Sequence, residues 1–136
     1  MTNKDINQLA YDVLGAIIEV HKVLGPGLLE SVYHRCLEKE FTLRNIDYLS
    51  EYKIPYNYKG EKLNIDLRCD FLIENSIVLE LKSVESILPV HKAQLLTYMK
   101  LLNVPKGLLI NFNVENIYHE GQQSFVNEIF RELPDK

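Results

Sequence analysis

Residues 65–84 read IDLRCDFLIENSIVLELKSV and predict two β-strands joined by a short turn. The runs on either side of residues 74–76 are mainly apolar, and side chains alternate between the two faces of a strand. With 74–76 as the turn, Asp70 falls directly opposite Glu80. Lys82 shares the face of Glu80 by the same alternation. The stretch therefore predicts a hairpin with Asp70, Glu80 and Lys82 on one side.

The facing carboxylates of Asp70 and Glu80 need an explanation, because their Cβ atoms should lie about 5 Å apart and the charges repel. Either one of the two groups is protonated or a cation lies between them, and Mg²⁺ suits paired carboxylates. An exposed hairpin face with cross-strand ion pairs is the alternative. The nearly continuous apolar run 77–81 favours a strand covered on both faces, where the Glu80 charge is costly unless it has a partner. The pattern therefore predicts a metal site.

The composition is that of an ordinary globular protein, with 136 residues, 46% hydrophobic and 25% charged. This length predicts a single domain over 1–136. Cys36 and Cys69 have neither CxxC spacing nor a preceding export signal, so we expect reduced thiols in a cytoplasmic protein. No apolar run reaches the about 20 residues of a bilayer span, and we expect no membrane contact.

The net charge of −4 weighs against binding nucleic acid through overall charge alone. A local basic surface could still exist beside the acidic remainder, although spaced lysines are more often a solvated face. The lysines in question are Lys82, Lys92, Lys100 and Lys106.

Apolar periodicity predicts the order helix, helix, three strands, helix, strand, helix. A strand that returns to the sheet through the third helix lies parallel to its neighbour, which gives a mixed sheet with helices on both faces. Lys59-Gly60 is a predicted turn leading into the strand that contains Asp70. Alternation also places four tyrosines on one strand face, where they pack under a helix or stack on bases: Tyr48, Tyr52, Tyr56 and Tyr58. The predicted helices are 3–24, 28–43, 89–102 and 122–133, and the predicted strands are 48–58, 65–73, 77–84 and 106–112.

Two motifs resemble a known family. Asp70, then Glu80-Leu81-Lys82, then Gln94 and Tyr98 on the next helix resemble the PD-(D/E)xK nuclease superfamily. Residues 27–33, GLLESVY, spell G-x-x-E-x-x-Y and resemble the small GxxExxY proteins grouped with that superfamily. The residue before Asp70 is cysteine rather than proline, which leaves the carboxylate in place. The resemblance implies an α/β fold, the three-layer α/β/α restriction-endonuclease-like fold with a central mixed sheet.

The resemblance also implies roles for individual residues. Metal ligands would be Asp70, Glu80, the Leu81 carbonyl and Glu30, with Mg²⁺ or Mn²⁺ as the ion. Lys82 would be the catalytic lysine beside the catalytic carboxylates of Asp70, Glu80 and Glu30. Residues that support the site or bind substrate would be Gln94, Tyr33 and Tyr98.

Simpler explanations exist for several of these residues. Glu30 falls in the first turn of its predicted helix, where the helix dipole favours a carboxylate in any case. Tyr33 lies one turn later, at a spacing typical of the core. His91 shares a side of the third helix with Gln94 and Tyr98, and it is equally a surface residue near a helix start.

The function expected from the resemblance is hydrolysis of nucleic acid, DNA before RNA, by a metal-dependent phosphodiesterase. The alternative is a non-catalytic binding or assembly module that keeps the fold, for which the acidic net charge is an argument. A homodimer whose two sites cut opposite strands is a further hypothesis.

Overall fold

A computed structural model describes residues 1–135 and shows a five-stranded sheet with helices on both faces. The sheet order is β1-β4-β5-β6-β7, and β5 and β6 are its parallel pair. Strands β2 and β3 form a separate hairpin. The elements are α1 Asn3–Leu24, α2 Glu30–Leu43, β1 Tyr48–Lys53, β2 Tyr56–Tyr58, β3 Glu61–Leu63, β4 Arg68–Ile73, β5 Ile77–Lys82, α3 Pro89–Leu102, β6 Lys106–Asn111, α4 Ile117–Glu120, β7 Gln122–Val126 and α5 Glu128–Arg131.

Two buried apolar clusters lie on opposite faces of this sheet. The first packs α1 and α2 onto residues such as Phe71 and Leu79, and the second packs α3 onto residues such as Leu72 and Val78. Strand β5 is buried along nearly its whole length, as its apolar run predicts. The predicted three-layer α/β fold is therefore confirmed.

The two N-terminal helices are separated where the sequence predicts. Thr2 and Asp5 cap α1 reciprocally, since Thr2 Oγ1 accepts from Asp5 N at 3.1 Å and the Asp5 carboxylate accepts from Thr2 N at 2.9 Å. Gly25 ends α1 with a φ of 72°. Because Leu29 is still extended, α2 begins at Glu30 and not at residue 28.

The central hairpin has the predicted register. Ile73 pairs with Ile77 and Phe71 with Leu79, so the next position along the ladder is Asp70 opposite Glu80. Glu74 and Asn75 form the turn with φ values of 46° and 55°. The prediction from residues 65–84 is confirmed for the turn and the pairing.

The predicted strand 48–58 is wrong as a single element. Strand β1 ends at Lys53, and the chain turns away at Ile54-Pro55. Lys59-Gly60 does form a hairpin turn, but it leads into β3 and not into the strand of Asp70. Strand β1 pairs with β4 instead, with β2 and β3 inserted between them.

The four tyrosines do not share one face. Tyr48 packs against the first cluster and Tyr52 against the second, while Tyr56 and Tyr58 belong to the separate hairpin. The side chains of β1 change from one face of the sheet to the other between Tyr48 and Tyr52, where Glu51 adopts a φ of 50°. Simple alternation fails at such a residue.

The predicted C-terminal helix 122–133 is also wrong. Residues Gln122–Val126 form β7, which pairs antiparallel with β6 and covers the edge of the sheet. Asn127 then starts the short α5, its side chain accepting from Phe130 N at 3.3 Å. The apolar residues that suggested a helical stripe are divided between these two elements.

No helix in residues 1–135 is long and apolar enough to cross a bilayer. The four lysines named above do not form one patch along β5 and β6, because Lys106 pairs with Ile77 at the opposite end from Lys82.

Candidate active site

The candidate site lies where the backbone pairing of β4 and β5 stops. Beyond the pair Phe71 and Leu79, side chains replace the ladder. Asp70 Oδ2 accepts from Leu81 N at 2.7 Å, and Glu80 Oε2 accepts from Asp70 N at 2.6 Å. The two carboxylates thus stand between the strands and satisfy backbone donors that the interrupted ladder leaves free.

The pairing of β4 with β1 is interrupted at the same place. Ser50 pairs with Phe71 and Tyr52 with Cys69, but Glu51 and Asp70 do not pair. Strand β4 turns over here, since Phe71 packs in the first cluster and Cys69 in the second. The expectation that Asp70 stays on one face with Glu80 and Lys82 is therefore wrong in detail.

The opened ladder also frees a backbone oxygen. In an antiparallel strand the N–H and C=O of one residue point to the same side. Because Leu81 N donates to Asp70, the Leu81 carbonyl also faces the gap toward β4. The carbonyl expected as a ligand therefore borders the same gap as the two carboxylates.

Each carboxylate keeps one oxygen free. Within residues 1–135, neither Asp70 Oδ1 nor Glu80 Oε1 receives a protein hydrogen bond. Every polar side-chain atom in that part of the chain that is fully shielded from solvent has a hydrogen-bond partner. Because these two oxygens have no partner, they must be in contact with solvent. Two fixed carboxylates with one open oxygen each are suited to share a cation.

The carboxylates of this pair are hard to ionise together. Glu80 is only 5% exposed. Burial, followed by the charge of Asp70, raises the pKa of Glu80 to about 8. Burial also raises the pKa of Asp70, against the lowering effect of the Leu81 N–H. Near neutral pH the pair therefore holds a proton in the absence of a cation.

Helix α2 forms the opposite wall of a cavity of about 370 Å³ beside Asp70. Its lining is mostly polar and includes three acidic residues. The residues are Glu30, Ser31, His34, Arg35, Glu51, Asp70 and Leu81. Of the predicted ligands, Asp70, Leu81 and Glu30 thus border one cavity, with Glu80 directly beside it.

Tyr33 fixes the loop that precedes Glu30. Its hydroxyl donates to Gly25 O at 2.6 Å and accepts from Leu28 N at 3.2 Å. The ring is fully buried and stacks on Phe112 at 4.2 Å. The structure thus places Tyr33 behind the cavity, where it fixes the chain before α2.

Lys82 lies at the end of β5, and its backbone is held in two ways. Phe112 N donates to Lys82 O at 2.9 Å. The buried amide of Asn111 then binds Val84, accepting from its N–H at 3.1 Å and donating to its carbonyl at 2.9 Å. Lys82 follows Glu80 by two positions in β5, and its charge lowers the pKa of both Asp70 and Glu80.

The α3 residues occupy different environments. Tyr98 is buried in the second cluster, and burial, followed by the charge of Glu80, raises its pKa. Gln94 is exposed, and within residues 1–135 its side chain has no hydrogen-bond partner. His91 Nδ1 accepts from Leu88 N at 3.0 Å and so caps the helix.

His34 borders the site, and the sequence analysis missed it. Ser50 Oγ donates to Glu38 Oε2 at 2.6 Å, and this bond lowers the pKa of Glu38. The single hydroxyl hydrogen of Ser50 is then used, so the contact of 2.6 Å to His34 Nε2 requires that Nε2 donates. The spacing of His34 four residues after Glu30, on one helix face, was the available signal.

The donor set fits a hard divalent cation. Mg²⁺ is usually held by one or two carboxylates and completes its shell with water and substrate phosphate. Asp70, Glu80 and the Leu81 carbonyl supply such a partial shell. Among residues 1–135, no three carboxylate, imidazole or thiolate groups converge as a ready-made metal site. Glu30, exposed at the first position of α2, borders the cavity without completing such a group.

Comparison with known proteins agrees with this geometry. A family model described as the PD-(D/E)XK nuclease superfamily matches residues 7–124, which include the whole candidate site. No curated protein and no solved structure gives a significant match. From the match across most of its length, the chain belongs to the PD-(D/E)XK nuclease superfamily.

Proposed function

We propose that this protein is a metal-dependent phosphodiesterase that hydrolyses nucleic acid, with DNA as the preferred substrate. The observation that carries the proposal is the pair Asp70 and Glu80, each with one oxygen held by a backbone N–H and one left open. Although these bonds satisfy two backbone donors, bringing two carboxylates together at a buried position costs stability unless a cation offsets their charge. Membership of a nuclease superfamily gives the chemistry that would use it.

Asp70, Glu80 and the Leu81 carbonyl would hold Mg²⁺ or Mn²⁺. The bound ion would polarise a phosphoryl oxygen and acidify a water molecule. Glu30 stands across the cavity, where its carboxylate can accept hydrogen bonds from water.

Lys82 would be the catalytic lysine of the site. Its ammonium can orient the attacking water or offset the charge that develops on the phosphate. Tyr98, buried on the α3 side of the sheet, would support the carboxylate pair from that side, and the exposed Gln94 one turn earlier can contact the substrate.

The acidity of the cavity supports a cation requirement. Glu30, Glu51 and Asp70 line it and Glu80 lies beside it, against Arg35 and the nearby Lys82. A phosphodiester would be repelled from such a surface until a divalent ion changes the local charge. The net charge of −4 is thus compatible with a nuclease whose acidic cavity receives the scissile phosphate only when the ion is bound.

Cleavage by matched variants tests the proposal. Wild type, Asp70→Asn and Lys82→Ala are incubated with supercoiled, linear and single-stranded DNA plus Mn²⁺ or Mg²⁺, and an RNA oligonucleotide serves as the alternative substrate. Lys92→Ala, an exposed lysine on α3, is the control. We expect cleavage by wild type and control, and a loss of at least about 100-fold in the other two. Equal nicking by all four proteins, or none by any, would favour the non-catalytic module.

Three remaining parts of the proposal rest on the sequence. They are a single domain over 1–136, a cytoplasmic location, for which the two free thiols argue, and a homodimer that would cut both strands of a duplex. Sedimentation of the protein with and without duplex DNA tests the last part.

A further inference from the structure

The hairpin formed by β2 and β3 contains almost no buried residues. Ile54 is buried at its base, where Ile54 N donates to Leu67 O at 2.7 Å. Beyond that point, residues 55–66 are exposed or half-buried. An isolated two-stranded hairpin of three-residue strands is marginally stable. Its side chains are therefore available for binding.

The exposed surface of this hairpin combines aromatic rings with positive charge. Tyr56 and Tyr58 stack with ring centroids 6.4 Å apart, and Tyr58 is 51% exposed. Lys59 Nζ lies 5.5 Å from the centroid of the Tyr58 ring. Within residues 53–65 there are three lysines and one glutamate, in a protein whose net charge is −4. The hairpin is thus locally basic.

A groove lies at the base of the hairpin. Its volume is about 390 Å³, and Lys53 and Lys62 line it together with apolar residues such as Pro55 and Leu63. This volume is within the range of small-ligand sites. An apolar floor beside lysines suits a planar base attached to a phosphate.

The groove at the base of the hairpin is also close to the candidate active site. Lys53 follows Glu51, a lining residue of the site cavity, by two positions in β1. At the usual rise of a strand this separation is about 7 Å. A nucleic-acid strand with a phosphate at Asp70 would therefore reach the hairpin within a few nucleotides.

We propose that the β2 and β3 hairpin binds the single-stranded part of a nucleic-acid substrate. Tyr58 and Tyr56 stack on bases, and Lys53, Lys59 and Lys62 contact phosphates. The inference rests on the proposed function, since it names the form of substrate that the same site would receive. Single strands are favoured over duplex because stacking requires a base with a free face.

Binding in the absence of metal tests this inference separately from cleavage. Fluorescence anisotropy of a labelled thymidine oligonucleotide is measured in EDTA for wild type, Tyr58→Ala and the double variant Lys59→Ala with Lys62→Ala. Controls are Tyr11→Ala, which removes a still more exposed tyrosine on α1, and the double variant Lys4→Ala with Lys39→Ala. Circular dichroism verifies that each variant is folded.

We expect Tyr58→Ala to weaken binding by about fivefold or more. The double lysine variant should flatten the dependence of log affinity on log salt by about 0.7 for each phosphate that a lysine no longer neutralises. The controls should stay within about twofold of wild type.

Three outcomes overturn the inference. The first is wild-type affinity in both hairpin variants, and the second is an equal loss of affinity for a blunt duplex of the same length. The third is a change of oligomeric state on gel filtration with unchanged DNA affinity, which would mean that the hairpin contacts a second copy of the protein. Metal-dependent cleavage that persists in any of these cases would leave the proposed function standing.

Discussion

Replacing Glu80 by glutamine should make the metal-free protein more stable at neutral and alkaline pH. Burial and the neighbouring Asp70 raise the pKa of Glu80 to about 8 from an ordinary value of 4.5. The folded state therefore holds a proton that the unfolded chain releases, so stability is highest below pH 4.5 and falls as the pH rises toward 8. Glutamine keeps an oxygen for Asp70 N and carries no charge.

The size of the effect follows from the two pKa values. Each unit of difference corresponds to about 1.4 kcal/mol, so wild type should lose about 3 to 4 kcal/mol between pH 5 and pH 8 through this group. Glu80→Gln should abolish that loss and melt about 10 °C higher than wild type at pH 8. The raised pKa of Asp70 acts in the same direction.

Urea and thermal denaturation in EDTA at pH 5, 7 and 8 measure the effect. Glu115→Gln is the matched control, because this glutamate is exposed and its replacement should change the free energy of unfolding by less than about 0.5 kcal/mol. Equal stability of Glu80→Gln and wild type at pH 8, or parallel pH profiles, would refute the assignment of a strained carboxylate pair.

Further predictions concern three buried groups. Burial raises the pKa of the Cys69 thiol to about 12, so at pH 8 a thiol reagent should label only the partly exposed Cys36 in the folded protein; rapid labelling of both residues would contradict this. Tyr33→Phe should lower the free energy of unfolding by about 1 to 2 kcal/mol in urea, because the Gly25 carbonyl and the Leu28 N–H lose their partner at this buried side chain, while Tyr11→Phe should have almost no effect. Asn111→Ala should cost about 2 to 3 kcal/mol by the same assay, since its amide makes three hydrogen bonds to backbone; a loss below about 0.5 kcal/mol would show that water replaces it.

The sequence predicted elements well where local pattern and tertiary environment agree. The long amphipathic α1, the buried β5 and β6 and the turn at residues 74–76 all follow from periodicity and turn chemistry. The same reasoning failed at residues 122–133, because pairing with the open edge of β6 decides the conformation of β7. The local sequence of residues 122–133 gives no indication that β6 will be their pairing partner.

The candidate site was predicted in identity more than in geometry. Asp70 and Glu80 do come together one position beyond the last ladder pair, but through hydrogen bonds from their side chains to backbone rather than as a cross-strand pair. The β4 strand reverses its faces at Asp70, opposite Glu51 of β1, and the positive φ of Glu51 is one that its residue type does not favour. The hydrogen bonds that link Glu38, Ser50 and His34 likewise join two elements, α2 and β1. Residue spacing along one element could therefore not predict them.

Calorimetric titration of Mn²⁺ into the protein tests the central claim most directly. If the cation binds between Asp70 and Glu80, binding at pH 7 must displace the proton that the raised pKa of Glu80 retains. The measured heat should then vary with the ionisation enthalpy of the buffer in a way that corresponds to about one proton released. Glu80→Gln should release none, and Asp70→Asn should bind at least about tenfold more weakly. Absence of binding at millimolar Mn²⁺, or equal affinity and proton release in all three proteins, would contradict the account.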